Sequence, residues 1–216
     1  MRARDNPFAT ARVHGIRYRF RGEAWDNLFR RLAALNHRGA IVGPEGAGKT
    51  TLLEDFEPRL LERGFKIVSL RLTRDTPTID RGVLRELSLS ISTQHFILFD
   101  GAEQLSRWSW WRFLQSIRRA GGLLITSHRP GLLPTLIECR TSQELLAGIV
   151  ADLLQEPAER QHARAAELFS KHRGNLRDAL RELYDVWSER ATDRAECPPP
   201  DADRHRDRTA ACRLAE

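Results

Sequence analysis

The sequence predicts an α/β fold in which five short parallel strands form one sheet with helices on both faces, followed by a small three-helix bundle. Short apolar runs alternate with amphipathic helical segments over the first 140 residues, the pattern of a parallel sheet with crossover helices. One apolar run leads directly into a glycine-rich turn and then a helix. After residue 141 the apolar periodicity is helical only. These observations place an α/β domain before a helical unit.

The five apolar runs that predict strands are residues 40–43, 66–72, 95–100, 122–127 and 135–139. The amphipathic stretches that predict helices around them are residues 23–36, 50–63, 80–91 and 107–120. Three tryptophans, Trp108, Trp110 and Trp111, fall within four residues of the last stretch. They cannot all face one core, so we expect at least one at the surface or at a contact.

The C-terminal third predicts three helices and then a tail. A capping box at 141–144 precedes an amphipathic helix, a second helix is expected over 158–172, and a third starts after Gly174 and Asn175. From residue 189 the chain alternates arginine and aspartate around three consecutive prolines, a composition that predicts disorder. The expected divisions are therefore an N-terminal arm (1–22), an α/β domain (23–140), a helical lid (141–188) and a disordered tail (189–216).

A phosphate-binding motif, G-x-x-x-x-G-K-T, lies between the first strand and its helix. Glycines allow backbone N–H groups to point inward, and the following helix presents its positive N-terminal end to phosphates. The lysine would reach the β and γ phosphates, and the threonine hydroxyl would sit on Mg²⁺. The expected nucleotide-binding residues are Gly43, Pro44, Glu45, Gly46, Ala47, Gly48, Lys49, Thr50 and Thr51.

Amino-acid usage supports this interpretation independently. Only three of the 35 basic residues are lysines, so the chain encodes positive charge almost everywhere as arginine, yet it keeps Lys49 in the motif. A compact ammonium fits between phosphates where a planar guanidinium would not. The sequence therefore predicts a P-loop that holds ATP with Mg²⁺.

The strand at 95–100 supplies the second half of the expected nucleotide site. Four apolar residues, Phe96 to Phe99, end in Asp100, as in a Walker B strand. Because the carboxyl ends of parallel strands share one edge of the sheet, Asp100 should lie beside the P-loop and hold the Mg²⁺ water shell together with Thr50.

These elements together resemble the AAA+ ATPases over about residues 23–188, especially the compact branch with origin-recognition proteins, transposition helper ATPases and STAND-type switch ATPases. In that family the strand after Walker B ends in a polar sensor 1 residue, and the resemblance points to Thr126 or Ser127. A sensor 2 arginine begins a lid helix, often after a Gly-(Asn/Asp) pair. The segment 174–180 is similar to that element, which implies that Arg177 contacts the γ-phosphate from the lid.

One departure concerns the catalytic base. The common AAA+ Walker B ends Asp-Glu, whereas Asp100 is followed by Gly101 and Ala102 before Glu103. Glu103 is expected to act as base if the turn is tight, with Glu45 as an alternative. An arginine finger, supplied in AAA+ assemblies by a neighbouring subunit, has no assigned residue. The arginines near the region where the family places this finger are Arg118, Arg119 and Arg129.

The sequence thus predicts a nucleotide-dependent switch with slow hydrolysis. One alternative is a small P-loop kinase with an acceptor-side acid near Asp75 or Asp80. Another is a DNA-associated adaptor, since residues 1–38 hold nine arginines and only three acids. The competing interpretation of residues 12–21 is an edge strand or an arm that packs Ile16, Tyr18 and Phe20 inward and leaves its arginines in water. A protein partner or self-assembly is also expected.

Membrane insertion is not expected, because no apolar run approaches the roughly 18 residues that a span requires and the N-terminus lacks the apolar core of a signal peptide. The three cysteines are odd in number and show no metal-ligand spacing. Their pattern is typical of a reducing compartment, which favours a cytoplasmic location.

Overall fold

Five parallel strands in the order β2-β3-β4-β1-β5 form the sheet in the computed structural model, which describes residues 6–18 and 24–196. The all-parallel pairing of five strands agrees with the sequence prediction. Their bounds differ from the predicted ones by at most two residues. The strands are β1 (Arg38–Val42), β2 (Lys66–Arg71), β3 (His95–Asp100), β4 (Gly122–Ser127) and β5 (Thr135–Glu138).

Helices precede, connect and follow these strands. Two short 3₁₀ segments, Ala102–Gln104 and Ala158–Gln161, interrupt the regular pattern. The α-helices are α1 (Thr10–His14), α2 (Trp25–Ala34), α3 (Lys49–Glu62), α4 (Arg81–Ser90), α5 (Arg107–Ser116), α6 (Gln143–Leu154), α7 (His162–Lys171) and α8 (Leu176–Glu196).

The sheet is buried on both faces, which explains why its central strands are almost continuously apolar. Along β3, Phe96 and Leu98 belong to the core with α2 and α3, whereas Ile97 and Phe99 belong to the core with α4 and α5. Successive strand residues point to opposite faces, so one apolar run serves two cores.

The order of the strands brings the predicted site residues to one edge of the sheet. β4 lies between β1 and β3, with Ala40 paired to Ile125 and Phe99 also paired to Ile125. Because all strands run the same way, the loop after β1 and the last residues of β3 and β4 meet at the carboxyl edge. Tertiary structure therefore places 43–51, Asp100 and Thr126 together.

Helices α6, α7 and α8 form a bundle around a separate apolar core. Ser142, and not Thr141 as the predicted capping box requires, is the N-cap of α6, and its hydroxyl accepts from the Leu145 N–H. The predicted tail is also corrected, because α8 continues as helix through residues 189–196. The remaining predicted tail residues, 197–216, lie outside the described residues.

The N-terminal segment differs from the predicted edge strand. Residues 10–14 form α1, and Phe8 is buried in the core of the helical bundle, with its ring 5.9 Å from that of Trp187. The Asn6 side-chain amide donates to the Tyr184 carbonyl and the Ser188 hydroxyl, both at 2.9 Å. Ile16 and Tyr18 are half-buried and Arg17 between them is exposed, so the inward-packing arm is confirmed for these residues although they form no strand. Phe20, part of the predicted strand, lies outside the described residues.

None of the helices in the two described segments is long and apolar enough to cross a lipid bilayer.

Candidate functional site

The loop of residues 43–51 follows β1 and wraps around the first turn of α3. Gly46 and Gly48 have φ angles of +73° and +78°, which favour glycine. A Cβ on Gly46 would also lie 1.9 Å from Asn175 Oδ1, and one on Gly43 would lie 2.5 Å from the Cys139 carbonyl oxygen. Glycine is therefore required both by the turn and by the close approach of neighbouring segments.

Lys49 is a buried charge at the centre of this loop, with 7% of the residue exposed. Its Nζ donates to the carbonyl oxygens of Gly43 at 2.8 Å and Pro44 at 2.7 Å. Burial lowers the pKa of Lys49, and nearby negative groups, Glu103 foremost, oppose that shift. An anion bound in the loop would give this ammonium group a charged acceptor in addition to the two carbonyl oxygens.

Asp100 lies across from the loop and gathers hydrogen bonds from two threonines. The Thr50 hydroxyl donates to its carboxylate, with Oγ1 3.1 and 3.2 Å from the two oxygens. The Thr126 hydroxyl donates to Oδ1 at 2.6 Å and accepts from the Gly101 N–H at 2.9 Å. Thr126 is 1% exposed, so its hydroxyl fixes the carboxylate from inside the sheet edge.

Glu103 reaches the same site through a tight turn after β3. Gly101 adopts φ +81°, and residues 102–104 form one turn of 3₁₀ helix. Glu103 Oε1 lies 3.4 Å from His128 Nδ1, while Oε2 is buried and has no hydrogen-bond partner among the described residues. A buried carboxylate oxygen without a donor is costly unless something else binds it.

The oxygen atoms at this site fit Mg²⁺ bound together with a nucleotide. No group of three or more His, Cys, Asp or Glu in the described segments could hold a metal alone. Mg²⁺ needs no such cage, because it binds through one or two carboxylates, substrate phosphates and water. Thr50 and Asp100 provide one hydroxyl and one carboxylate in direct contact.

The start of α8 approaches the same loop from the helical bundle. Asn175 Oδ1 accepts from the backbone N–H groups of Arg177 at 3.1 Å and Asp178 at 3.3 Å. The Leu176 nitrogen is 3.1 Å from the position of a Cβ on Gly46. Arg177 is exposed and lies in this first helical turn. It is therefore close to the loop in the fold, although no described contact joins its side chain to the loop.

Tyr18 covers the loop from the other side, a contact that the strand interpretation of the arm did not predict. Its backbone N–H donates to Asp55 on α3 at 2.8 Å, and its ring is 3.4 Å from the Cβ position of Gly48. The fully buried thiol of Cys139 is nearby, and burial raises its pKa. Only the packing of distant segments reveals these neighbours.

Several sequence candidates lie away from this arrangement. Ser127 is buried, but its hydroxyl donates to the Arg129 carbonyl at 2.7 Å, so of the two sensor 1 candidates only Thr126 contacts Asp100. The Glu45 carboxylate is half exposed and 3.5 Å from Arg74. Asp80 caps α4 by accepting from the Gly82 N–H. The residues that are simply exposed are Asp75, Arg118, Arg119 and Arg129.

Sequence reasoning also missed Arg71, the last residue of β2. Its Nε lies 3.5 Å from Asp100 Oδ2. A charged residue at the carboxyl end of a predicted strand was the available signal, because the strands of a parallel sheet all end at the same edge.

The chain matches no protein-family model and has no significant match to a curated protein.

Proposed function

We propose that the protein is an ATP-binding switch ATPase of AAA+ type with slow hydrolysis, in which residues 43–51 act as a P-loop. The observation that carries this proposal is the contact of Thr50 and Thr126 with Asp100, beside the buried ammonium of Lys49. Three distant sequence segments thus supply a phosphate-binding amine, a hydroxyl and a carboxylate at one sheet edge. This set is what a triphosphate with Mg²⁺ requires.

In this proposal each residue has a separate task. Lys49 exchanges its carbonyl partners for the β and γ phosphates, and the backbone N–H groups of the loop bind the same oxygens. Thr50 and Asp100 would hold Mg²⁺, which would supply positive charge to the phosphate oxygens. Glu103 accepts the proton of the attacking water with Oε2, the oxygen that has no hydrogen-bond partner among the described residues. Thr126 keeps the Asp100 carboxylate oriented.

The helical bundle acts as a lid in the proposed switch. Its α8 begins against Gly46, so a triphosphate in the loop meets the first turn of that helix, where Arg177 is exposed. Arg177 would contact the γ-phosphate, and loss of that phosphate would release the helix. The ordered state of the lid then depends on which nucleotide is bound.

The α5 surface supports the expectation of a protein partner. Trp108 and Trp111 are 65% and 50% exposed, and their rings stack at 5.0 Å. No acidic residue occurs between Glu103 and Glu138, a stretch with five arginines. Exposed tryptophan flanked by arginine is typical of binding hot spots, and its charge suits an acidic partner surface.

Neither alternative function has a comparable arrangement behind it. For a small kinase, the proposed acceptor-side acids have other surroundings: Asp80 serves as a helix cap and Asp75 is exposed. A DNA-associated adaptor would use the basic arm, but part of this arm, α1 and Phe8, packs against α8. DNA affinity that falls steeply with salt would favour the adaptor.

The decisive experiment is nucleotide titration of a Lys49→Ala variant. Because Lys49 supplies charge to phosphates, the variant should lose most ATP affinity, by about 100-fold or more, while keeping its fold. Lys66→Ala is the matched control, since Lys66 is an exposed lysine at the start of the edge strand β2. Equal ATP affinity of wild type and folded Lys49→Ala would refute the P-loop assignment.

A further inference from the structure

Arg71 is placed beside the metal-binding half of the proposed site by the register of the sheet. β2 pairs in parallel with β3, and Arg71 is the register partner of Asp100. Its Nε lies 3.5 Å from Asp100 Oδ2. Among the described residues, no other arginine or lysine forms an ion pair with Asp100. A guanidinium therefore borders the carboxylate from the edge of the sheet.

The two oxygens of Asp100 have different surroundings. Oδ1 accepts the short bond from the buried Thr126, which holds that oxygen in place. Oδ2 is shared between the Thr50 hydroxyl at 3.1 Å and Arg71. The Arg71 side chain is 59% exposed, so little packing prevents it from moving. A cation held by Oδ2 would compete with Arg71 for that oxygen and would leave the guanidinium free to bind another anion.

A second arginine from the same segment borders the other half of the site. Arg74 Nη2 lies 3.5 Å from Glu45 in the 43–51 loop. The end of β2 and the residues after it therefore place one guanidinium at the carboxylate of β3 and one at the loop. Guanidinium groups bind phosphate oxygens through two parallel hydrogen bonds, which an exposed, mobile arginine can reach.

We propose that Arg71 is a catalytic arginine supplied in cis: it leaves Asp100 when the nucleotide binds and contacts the γ-phosphate. This inference rests on the proposed ATPase function. Each chain then completes its own charge-stabilising group, whereas assemblies of the AAA+ type take an arginine from a neighbouring subunit. The exposed Arg118, Arg119 and Arg129 are not needed for this role.

The step that Arg71 stabilises is hydrolysis of the γ-phosphoryl group. The water oxygen bonds to Pγ as the bond from Pγ to the β–γ bridging oxygen breaks. The electron pair of that bond stays on ADP, and the water proton passes to the Glu103 carboxylate. Arg71 interacts with the γ-phosphoryl oxygens during this transfer, so it lowers the barrier more than it raises ATP affinity.

The test compares Arg71→Ala with wild type in kcat, in ATP and ADP affinity, and in turnover per chain across a wide range of protein concentration. We expect kcat to fall at least about 100-fold, ATP affinity to change less than about threefold, and wild-type turnover per chain to be independent of concentration. Added free guanidine should restore part of the lost rate, because it can occupy the vacated position. Arg81→Ala is the control, since Arg81 is an exposed arginine at the start of α4.

Other outcomes overturn the inference and separate it from the proposed function. A kcat within twofold of wild type in Arg71→Ala, or failure of guanidine to raise a lowered rate, rules out the catalytic role. Turnover per chain that rises with protein concentration assigns the arginine to a neighbour. Lys49-dependent ATP binding without any turnover also overturns it, yet leaves nucleotide binding intact. Absence of ATP binding in wild type refutes the proposed function itself.

Discussion

Glu103 is the proposed base, although it does not occupy the sequence position that the AAA+ motif gives to that residue. The residue directly after Asp100 is glycine, so the usual Asp-Glu pair is absent. The acid lies two residues further along the chain, and the turn still brings its carboxylate near Lys49, where its negative charge acts to raise the pKa of the lysine. One of its oxygens contacts His128 and the other is buried without a partner among the described residues.

The first prediction is that Glu103→Gln slows ATP turnover by about 100-fold or more, because an amide cannot accept the water proton. ATP affinity should stay within about threefold, since the phosphates are held by other groups. Steady-state turnover and equilibrium titration measure the two effects separately. Glu86→Gln, an exposed substitution on α4, is the control. An unchanged rate in Glu103→Gln would move the search for a base to Glu45.

At the scale of elements, the turn between β3 and α5 positions Glu103, the proposed base. Gly101 has φ +81°, and its Cβ position would be only 2.4 Å from the Leu72 carbonyl oxygen. Its N–H also donates to Thr126, which holds Asp100. Backbone conformation, close packing and the positions of Asp100 and Glu103 thus all depend on this glycine.

We therefore predict that Gly101→Ala lowers the free energy of unfolding by about 3 kcal/mol, from positive-φ strain plus the clash with Leu72. Gly64→Ala is a matched control, because Gly64 has φ +84° but nothing within 4 Å of its Cβ position. That control should cost only about 1 kcal/mol. Denaturant titration of both variants gives the comparison. Equal losses would show that the close approach to Leu72 does not matter.

At the scale of the whole molecule, the helical bundle and the N-terminal segment meet the α/β part at the 43–51 loop. The start of α8 packs against Gly46, and Tyr18 packs against Gly48. Asn6 and Phe8 tie the same N-terminal segment to the far part of α8. The N-terminal segment and the start of α8 therefore contact the same loop, which in the proposed function would allow nucleotide state to affect the bundle.

For Arg177, the prediction is that the alanine variant discriminates less between ATP and ADP. Losing a charge-assisted contact to the γ-phosphate would cost about 1.5 to 3 kcal/mol of ATP affinity, whereas ADP affinity should barely move. The buried Leu176, Leu180 and Leu183 still hold α8 in the bundle, so the fold should persist. Titration with both nucleotides measures the ratio.

The control for Arg177→Ala is Arg181→Ala, one helical turn further along α8 and also exposed. This substitution removes the same charge from the same helix, but Arg181 lies farther from the loop. If the ATP-to-ADP affinity ratio of Arg177→Ala equals that of wild type, Arg177 has no sensing role.

The sequence by itself determined the periodic elements and the local motif. Alternation of apolar runs with amphipathic stretches predicted five parallel strands, because two-sided burial leaves few polar positions in a central strand. The motif formed by the glycines, Lys49 and Thr50 is local, so it predicted a phosphate-binding loop without any knowledge of the fold. Asp100 was predicted from its position at the end of a strand, and the resemblance to AAA+ ATPases pointed to Thr126 or Ser127.

Only the tertiary structure decided which of the candidates meet. Strand order brought Thr126 rather than Ser127 to Asp100, and placed Arg71 there as well. The basic arm contains α1 and is docked on α8 through Phe8 and Trp187, and its Tyr18 packs on the core as the alternation predicted, but outside any strand. Such contacts join residues far apart in the chain, and local periodicity contains no information about them.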